Sequence, residues 1–313
     1  MPSTRPLLID TDPGVDDALA ILLAFSEPSV RVVALTVCGG NVGLVHTLRN
    51  ACQLSQRAPY PLPVFAGAAL PLLEVAPDAA FVHGSDGFGE AKLAAAQVAA
   101  QTEHAALAIL RASHEHAGSL EMLCLAPLTN VALALSLDPT LPERVARLTI
   151  MGGAVSGLGN ITSFAEFNFA VDPEAAKIVT RRWPNYTLVD WEATERHAPS
   201  IANSEAWFAA ATTNAQFMQQ ISRKTLAFQQ SLNTGLWTWA DPLAAYAALY
   251  PNALLDSSKV AVEVLTEGAA RGASLLDRRR TANARVLGSV DQHDFEAALQ
   301  RALQAGPAVR ALV

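Results

Sequence analysis

The sequence predicts an open α/β fold, in which one mostly parallel β-sheet has helices on both faces. Short runs rich in Val, Ile and Leu alternate with helix-like segments through most of the chain. These runs are apolar at consecutive positions, as expected of strands that are buried on both faces of a parallel sheet. The composition agrees with a large packed core and excludes a disordered chain, because 51% of the residues are hydrophobic and only 16% are charged.

The predicted elements follow one another in the order that such a sheet requires. Seven apolar runs predict strands at residues 6–9, 31–37, 63–65, 121–125, 147–151, 187–189 and 260–265. Six segments with helical spacing of their apolar residues predict helices at residues 15–26, 44–56, 103–116, 130–136, 173–182 and 214–229. Because strands that are separated by helices can pair in parallel, the pattern indicates one sheet with helical crossovers.

We expect a single domain over residues 1–313, since no Pro-, Ser- or Gly-rich linker and no repeat of fixed period divides the chain. In open α/β sheets, ligands bind beyond the carboxyl ends of the strands. The polar residues that follow predicted strands are therefore the candidates for function. They fall at residues 10–17, 39–41, 127–130, 152–168 and 190.

Charge and composition exclude several other functions. The 29 acidic and 22 basic residues give a net charge of −7, and no broad basic face is indicated, so we expect no binding to nucleic acid. The longest apolar runs are shorter than the roughly 20 residues that a membrane helix needs, and the early acids leave no room for an export signal. Three widely spaced cysteines in apolar segments indicate buried, reduced thiols. We therefore expect a cytoplasmic protein that does not bind membranes.

The strongest local feature is an acid-rich turn directly after the first predicted strand. Its sequence is Asp10-Thr11-Asp12-Pro13-Gly14-Val15-Asp16-Asp17. One or two acids suffice to cap a helix, and four carboxylates this close repel one another, so the turn predicts a bound cation. Because every candidate ligand is a carboxylate and the spacing is not that of an EF-hand, calcium or magnesium is indicated rather than zinc. Asp241, before Pro242, is a further candidate, although a simple helix cap explains it equally well.

These residues resemble the amino-terminal signature of the inosine-uridine-preferring nucleoside hydrolases, and further motifs of that family follow in family order. They are Gly40-Asn41, His83-Gly84, Asp86-Gly87, Pro127-Leu128-Thr129-Asn130, Met151-Gly152-Gly153-Ala154, Gly159-Asn160, Ala165-Glu166-Phe167-Asn168, Asp172-Pro173-Glu174-Ala175-Ala176 and Asp241-Pro242. The resemblance implies a Rossmann-like nucleoside hydrolase fold, hydrolysis of ribonucleosides to base and ribose, and a homodimer or homotetramer.

The resemblance also implies roles for individual residues. Calcium would be bound by Asp12, Asp17, the backbone carbonyl of Thr129, and Asp241. Asp12 would be the general base that activates a calcium-bound water. The ribose would be held by Asp16, Asn41, Met151, Asn160, Glu166 and Asn168.

The side that would face the base departs from the family pattern. Many members carry a histidine directly before the late aspartate, where it is thought to protonate the departing base, but here that residue is Ala240. Three explanations stay open. Trp237 or Trp239 stacks on the base and makes it easier to protonate, His83 acts as the acid, or the leaving group differs from the usual bases.

Two other functions compete with this interpretation. The replacement at Ala240 is consistent with a calcium-dependent nucleoside- or ribose-binding protein that has lost turnover. Asp10-Thr11-Asp12 also resembles the nucleophile motif of haloacid-dehalogenase-type phosphatases, in which Asp10 would attack a phosphate. That class needs a lysine beside the phosphoryl group, and none of the chain's four lysines stands in a convincing motif.

Overall fold

The structure is a computed structural model that describes residues 4–75, 77–155 and 158–305. The strands are β1 (Arg5–Thr11), β2 (Val30–Val37), β3 (Val64–Ala66), β4 (Leu120–Cys124), β5 (Val145–Met151), β6 (Tyr186–Val189), β7 (Leu254–Val260), β8 (Val262–Val264), β9 (Ser274–Leu276) and β10 (Ala284–Val290). The helices are α1 (Val15–Ser26), α2 (Leu44–Ser55), α3 (Ala80–His83), α4 (Ala105–Glu115), α5 (Thr129–Leu137), α6 (Leu141–Arg144), α7 (Phe167–Val171), α8 (Pro173–Arg182), α9 (Trp191–Arg196), α10 (Ile201–Phe208), α11 (Thr213–Ile221), α12 (Arg223–Ser231), α13 (Ala240–Leu249) and α14 (Gln292–Gln304).

Eight strands form one sheet in the order β3-β2-β1-β4-β5-β6-β10-β7. All neighbours pair in parallel except β10 and β7, which are antiparallel. The predicted fold class, an open and mostly parallel α/β sheet, is therefore confirmed. Two short strands, β8 and β9, form a separate antiparallel pair.

Both faces of the sheet are covered, which explains why the strands are apolar at consecutive positions. Alternate residues of β1 point to opposite faces: Leu7 and Ile9 join one buried cluster with α1, α2 and α13, whereas Leu8 joins another with α4, α5 and α8. The strand is thereby fixed from two sides, and its carboxyl end is held in a constant position.

Two predicted elements differ from the structure. The helix predicted at 214–229 is two helices, α11 and α12, which meet at Ser222. The Ser222 hydroxyl donates a hydrogen bond to the Met218 carbonyl, a local bond of the kind that competes with helix continuation. The strand predicted at 260–265 is also divided, because β7 ends at Val260 and β8 belongs to the separate pair.

The sheet's last parallel strand, β10, was not predicted. It contains Gly288 and Ser289 and has three partly exposed residues, so it lacks the continuous apolar run of the central strands. Its neighbour β7 lies at the edge of the sheet and is largely exposed, so it also lacks a continuous apolar run. No helix in the described ranges is both long enough and apolar enough to cross a membrane.

Candidate active site

The candidate site lies at the carboxyl edge of the sheet, where β1 separates β2 from β4. The strand order proceeds away from β1 on both sides, to β2 and β3 on one side and to β4, β5 and β6 on the other. Ligands of open α/β folds bind in the crevice at such a switch point. β1 ends here and α1 begins at Val15, so the acid-rich turn between them carries Asp12. Asp16 and Asp17 follow in the first turn of α1.

Three carboxylates form a cluster at this crevice. One oxygen atom from each of Asp16, Asp17 and Asp241 lies within 4.8 Å of the other two. Asp241 comes from the first turn of α13, far along the chain from the other two. Asp12 is outside this triple but is completely buried, and its charge acts on both Asp17 and Asp241.

The electrostatics of the cluster fit a divalent cation. Burial, followed by the charge of Asp17, raises the pKa of Asp12 well above its usual range, and burial and Asp16 raise that of Asp17. Burial and the neighbouring carboxylates likewise raise the pKa of Asp241. The Oδ1 atoms of Asp12 and Asp16 are buried without a hydrogen-bond partner in the described part of the chain. A calcium or magnesium ion would satisfy these oxygens and cancel the repulsion.

Asn41, which follows β2, fixes two of the acids. Its backbone N–H donates to Asp12 Oδ2 at 2.6 Å, and its Nδ2 donates to Asp17 Oδ2 at 3.1 Å. The backbone N–H of Gly14 also donates to Asp17 Oδ2, at 2.9 Å. A Cβ atom on Gly14 would lie 2.7 Å from His83 Nδ1, so this turn has no room for a larger residue. The carboxylates are therefore held in a rigid frame.

Thr129, expected from the resemblance to be a metal ligand, is the first residue of α5 and is buried. Its Oγ1 donates to Asp172 Oδ2 at 2.6 Å. Asp172 is completely buried and was not among the predicted site residues, although its motif was noted. The Thr129 hydroxyl is thus fixed by Asp172, and the role of its backbone carbonyl as a metal ligand stays a prediction.

A cavity of about 380 Å³ adjoins the acid cluster, within the range of small-molecule sites. Every ribose candidate and every candidate for the base side lines it. The predicted residues in its wall are Asp16, Asn41, His83, Met151, Asn160, Glu166, Asn168, Trp237, Trp239 and Asp241. Asp12, Asp17 and Thr129 are buried and do not line the cavity.

Two of the ribose candidates, Glu166 and Asn168, also fix the chain around the end of β5. The carboxylate of Glu166 accepts hydrogen bonds from the backbone N–H groups of Gly153, Asn168 and Phe169, and burial raises the pKa of Glu166 to about 7. Asn168 Nδ2 donates to the Leu125 carbonyl at 2.7 Å. These bonds fix the polar side chains at the cavity wall.

His83, at the end of α3, faces the acid cluster as a neutral side chain. Its Nδ1 accepts the backbone N–H of Val15 at 3.2 Å, which places its proton on Nε2. Burial lowers the pKa of His83 to about 4, despite the opposing effect of Asp17. At neutral pH this histidine is therefore uncharged, which weakens the explanation in which it acts as the acid.

Sequence reasoning missed one wall of the cavity. This wall comes from α9 and α12 and from the chain before α13, and it includes Trp191, Glu195, Thr225, Phe228, Gln229 and Thr238. Apart from Trp191, these residues do not follow a strand. A search of the residues beyond the strand ends could therefore not identify them. Gln229 Nε2 donates to Thr238 Oγ1 at 3.1 Å, which joins α12 to the tryptophan segment.

Asp10 does not have the surroundings of a phosphatase nucleophile. It is completely buried and does not line the cavity. Its Oδ1 accepts hydrogen bonds from Thr36 Oγ1 at 2.6 Å and Asn130 Nδ2 at 3.0 Å. A nucleophile has to reach its substrate, so this arrangement speaks against the phosphatase alternative.

Comparison with known proteins identifies relatives over nearly the whole chain. The family model described as inosine-uridine preferring nucleoside hydrolase matches residues 7–297. A probable uridine nucleosidase 1 from Oryza sativa subsp. japonica is 35% identical over 283 residues, which cover 87% of this chain and 85% of that protein.

Solved structures of similar proteins have the same fold. An inosine-guanosine nucleoside hydrolase superposes with a TM-score of 0.89 at 32% identity, covering 98% of this chain and 100% of that one. A purine-preferring ribonucleoside hydrolase from Gardnerella vaginalis gives a TM-score of 0.89 at 26% identity, covering 96% of this chain and 98% of that one.

The resemblance predicted from the acid-rich turn and the later motifs is thus confirmed. The family model covers the acid cluster, the cavity wall and most of the sheet, and relatives above 30% identity match over most of their length. The chain is a nucleoside hydrolase and belongs to the inosine-uridine preferring nucleoside hydrolase family.

Proposed function

We propose that this enzyme is a calcium-dependent ribonucleoside hydrolase that uses Asp12 as its general base. The observation that carries the proposal is the group of buried carboxylates beside a cavity of nucleoside size. Within the described part of the chain, no lysine or arginine pairs with Asp12, Asp17 or Asp241. Buried charges need compensation, and a bound cation would provide it.

Asp12, Asp17, the Thr129 carbonyl and Asp241 would hold the calcium, as the resemblance implies. Asp16 has an oxygen in the same cluster, so it stands where it can bind a ribose hydroxyl close to the metal. Calcium accepts six to eight oxygen ligands, a number that protein, sugar and water can share. When bound, the ion would supply positive charge that orients the ribose and polarises water.

Asp12 has the environment of a general base. Asn41 fixes its Oδ2 from the backbone, whereas its Oδ1 is buried with no partner among the described residues. The free oxygen is therefore available to take a proton from the attacking water.

The ribose side of the cavity suits the charge that develops during cleavage. Glycosidic bonds break through an oxocarbenium-like state, in which the sugar becomes positive. Asp16 and Glu166 line that side and offer negative or polar groups to it, while Asn41 and Asn168 are fixed by their own hydrogen bonds. Contacts to the ribose hydroxyls would reject deoxyribose, because a missing hydroxyl leaves buried polar groups unpaired.

Departure of the base is assigned to the tryptophan segment rather than to a histidine. Ala240 lines the cavity and cannot donate a proton, and His83 is neutral. Trp237 and Trp239 line the same cavity and offer aromatic surface to a base. Stacking of this kind would stabilise the departing base until solvent protonates it.

A homodimer or homotetramer is also proposed from the resemblance. Exposed apolar side chains in α2 and in the loop after β3, Val45, Leu70, Leu73 and Val75, offer surface that a second copy would bury. Size-exclusion chromatography with light scattering tests this, and a monomer at micromolar concentration would contradict it.

The test of the proposed function is release of reducing sugar from a panel of purine and pyrimidine nucleosides, before and after chelation. We expect hydrolysis that is lost with chelator and returns with calcium. Calcium should also raise the thermal midpoint of the chelated protein, since ligands that bind only the folded state stabilise it. Binding of nucleosides without hydrolysis of any of them would favour the alternative of a binding protein that has lost turnover at Ala240.

A further inference from the structure

Asp172 has more hydrogen bonds than its position at a helix terminus requires. It precedes α8, and its Oδ1 accepts the backbone N–H of Ala175 at 3.0 Å, as an ordinary N-cap does. Its Oδ2 accepts two further bonds, from Thr129 Oγ1 at 2.6 Å and from the backbone N–H of Leu72 at 2.9 Å. Capping alone would be satisfied by serine or asparagine, so the second oxygen has a separate role.

The first of these partners, Thr129, belongs to the candidate site, whereas Leu72 lies in the loop after β3. Thr129 begins α5 beside the acid cluster, and its neighbour Asn130 donates to Asp10 Oδ1 at 3.0 Å. Asn130 Oδ1 in turn accepts the backbone N–H of Ala68 at 2.9 Å. Thr129 and Asn130 thus connect the start of α5 to the acid-rich strand end on one side and to the loop after β3 on the other.

The loop after β3 is held at both points by these residues. Ala68 is bonded to Asn130 and Leu72 to Asp172, and the loop leads on to Ala79, whose backbone N–H donates to the Asn41 carbonyl at 2.8 Å. Ala79 and His83 line the cavity. Asp172 therefore contacts the two segments that form one side of the metal and nucleoside site.

The same helix terminus holds the loop at a third point. Glu174 accepts two hydrogen bonds from Arg271, at 2.5 and 2.9 Å, and Arg271 Nε also lies 3.5 Å from Glu74 Oε2 in the loop. The ion pair between Arg271 and Glu174 is partly exposed, so by itself it adds little to the free energy of unfolding. It connects Glu174, through Arg271, to Glu74 in the loop.

We propose that Asp172 is a positioning residue for the metal site, which keeps Thr129 and the loop after β3 in the arrangement that binds the cation. The inference rests on the proposed function, because it takes Thr129 as a metal ligand through its carbonyl. Asp172 is completely buried, and these fixed donors stabilise its charge, together with the nearby guanidinium of Arg271. Partners in this second layer commonly control metal affinity by about 10- to 100-fold.

The direct test is the calcium affinity of the Asp172→Asn protein, measured by titration calorimetry after chelation. Asparagine keeps the oxygen that caps Ala175 but places an NH₂ group opposite the Leu72 N–H. We expect a Kd that is about 10- to 100-fold weaker than that of the wild type. The matched control is Asp277→Asn, whose Oδ1 accepts the backbone N–H of Arg279 at 2.9 Å in a turn that does not line the cavity.

A second variant tests the proposal even if Asp172→Asn fails to fold. Thr129→Val removes only the hydroxyl and leaves the backbone carbonyl in place, and it should weaken calcium binding in the same direction. In the double variant the combined loss should be smaller than the sum of the two losses, because both substitutions break the bond between Thr129 and Asp172. Amide exchange of residues 67–75 should accelerate in Asp172→Asn even in the chelated protein.

The outcomes separate the two proposals. Calcium binding by the wild type, with Asp172→Asn and Thr129→Val within about twofold of its Kd, would overturn the positioning role and leave the proposed function intact. A wild type that binds no calcium would contradict the proposed function, and the positioning role would fall with it. Weaker binding in both variants, with Asp277→Asn unchanged, supports the inference.

Discussion

The indole rings of Trp237 and Trp239 stack on each other, with ring centroids 4.5 Å apart and planes inclined by 16°. Phe208 contacts both rings edge-on, at 5.8 and 5.9 Å, and Trp239 Nε1 donates to Ser204 Oγ at 3.1 Å. Both indoles are nearly fully buried, yet both line the cavity. Packing and a base-facing role are therefore combined in the same residues.

Replacing either stacked tryptophan should reduce activity towards purine nucleosides most. In Trp237→Leu and Trp239→Leu we expect kcat/KM to fall about 10-fold or more for purines and less for pyrimidines, because stacking on a base contributes about 1–3 kcal/mol and a larger ring stacks over more area. Steady-state kinetics on matched nucleosides measures this. Trp183→Leu is the control, since Trp183 is buried on the other face of the sheet and does not line the cavity. Equal losses for both base classes would contradict the assignment.

A histidine introduced at position 240 should accelerate the reaction. Ala240 lines the cavity directly before Asp241, so an imidazole there would reach the side proposed for the base. We expect kcat of Ala240→His to rise, by up to about 100-fold, because a general acid is typically worth about 10²–10⁴-fold. The gain should disappear as the pH rises through the range in which histidine loses its proton. Ala240→Gln has similar bulk without the titrating group, and an equal rate in both variants would show that proton donation does not limit turnover.

Asp12→Asn should lose turnover while keeping its fold. The amide has the shape of the carboxylate but cannot take a proton, so we expect kcat to fall by about 10²–10⁴-fold. The thermal midpoint of the chelated protein should not decrease, because the substitution removes one charge from a buried group of like charges. Asp294→Asn, on the exposed surface of α14, controls for a general effect of the substitution. A fully active Asp12→Asn protein would remove Asp12 as the base.

The sequence predicted the half of the fold that surrounds the site better than the far edge. β1 and α1 were recognisable because an apolar strand, the Pro13-Gly14 turn and an apolar helix follow one another without interruption. At the far edge, β7 and β10 have partly exposed faces and polar residues, so neither has the signature of a strand buried on both sides. Their pairing depends on contacts between distant parts of the chain, which local patterns do not contain.

Some residues of the candidate site could likewise be predicted from the sequence, and others could not. The acids at the end of β1 were found because the strand-end rule applies to them directly. Thr225 and Gln229 could not be found, since they lie on α12 and reach the cavity only because α12 packs against α3, where Thr225 Oγ1 donates to the Val82 carbonyl at 3.1 Å. Asp172 was noted only as part of a motif, because its two long-range hydrogen bonds are tertiary contacts.

A last prediction concerns the pH dependence of stability at the end of β6. Asp190 caps α9 by accepting the Ala193 N–H at 3.0 Å, and it is 2% exposed. Burial, together with a hydrogen bond to the neighbouring carboxyl of Glu192, raises the pKa of Asp190 above that of an unfolded aspartate. Because the pKa of Asp190 is higher in the folded protein, the stability that Asp190 contributes is complete below about pH 4. It is lost as the pH rises towards the pKa of Asp190 in the folded state.

Asp190→Asn should therefore become the more stable protein as the pH rises. Asparagine still caps the helix and can donate to Glu192, but it never has to ionise in the buried site. We expect the two proteins to have similar free energies of unfolding at about pH 4, and the variant to be more stable by about 1–3 kcal/mol at about pH 8, since each pKa unit corresponds to about 1.4 kcal/mol. Urea denaturation at both pH values measures the difference, with the exposed N-cap variant Asp291→Asn as the control. A difference that stays constant with pH would show that Asp190 ionises as freely in the folded protein as in the unfolded chain.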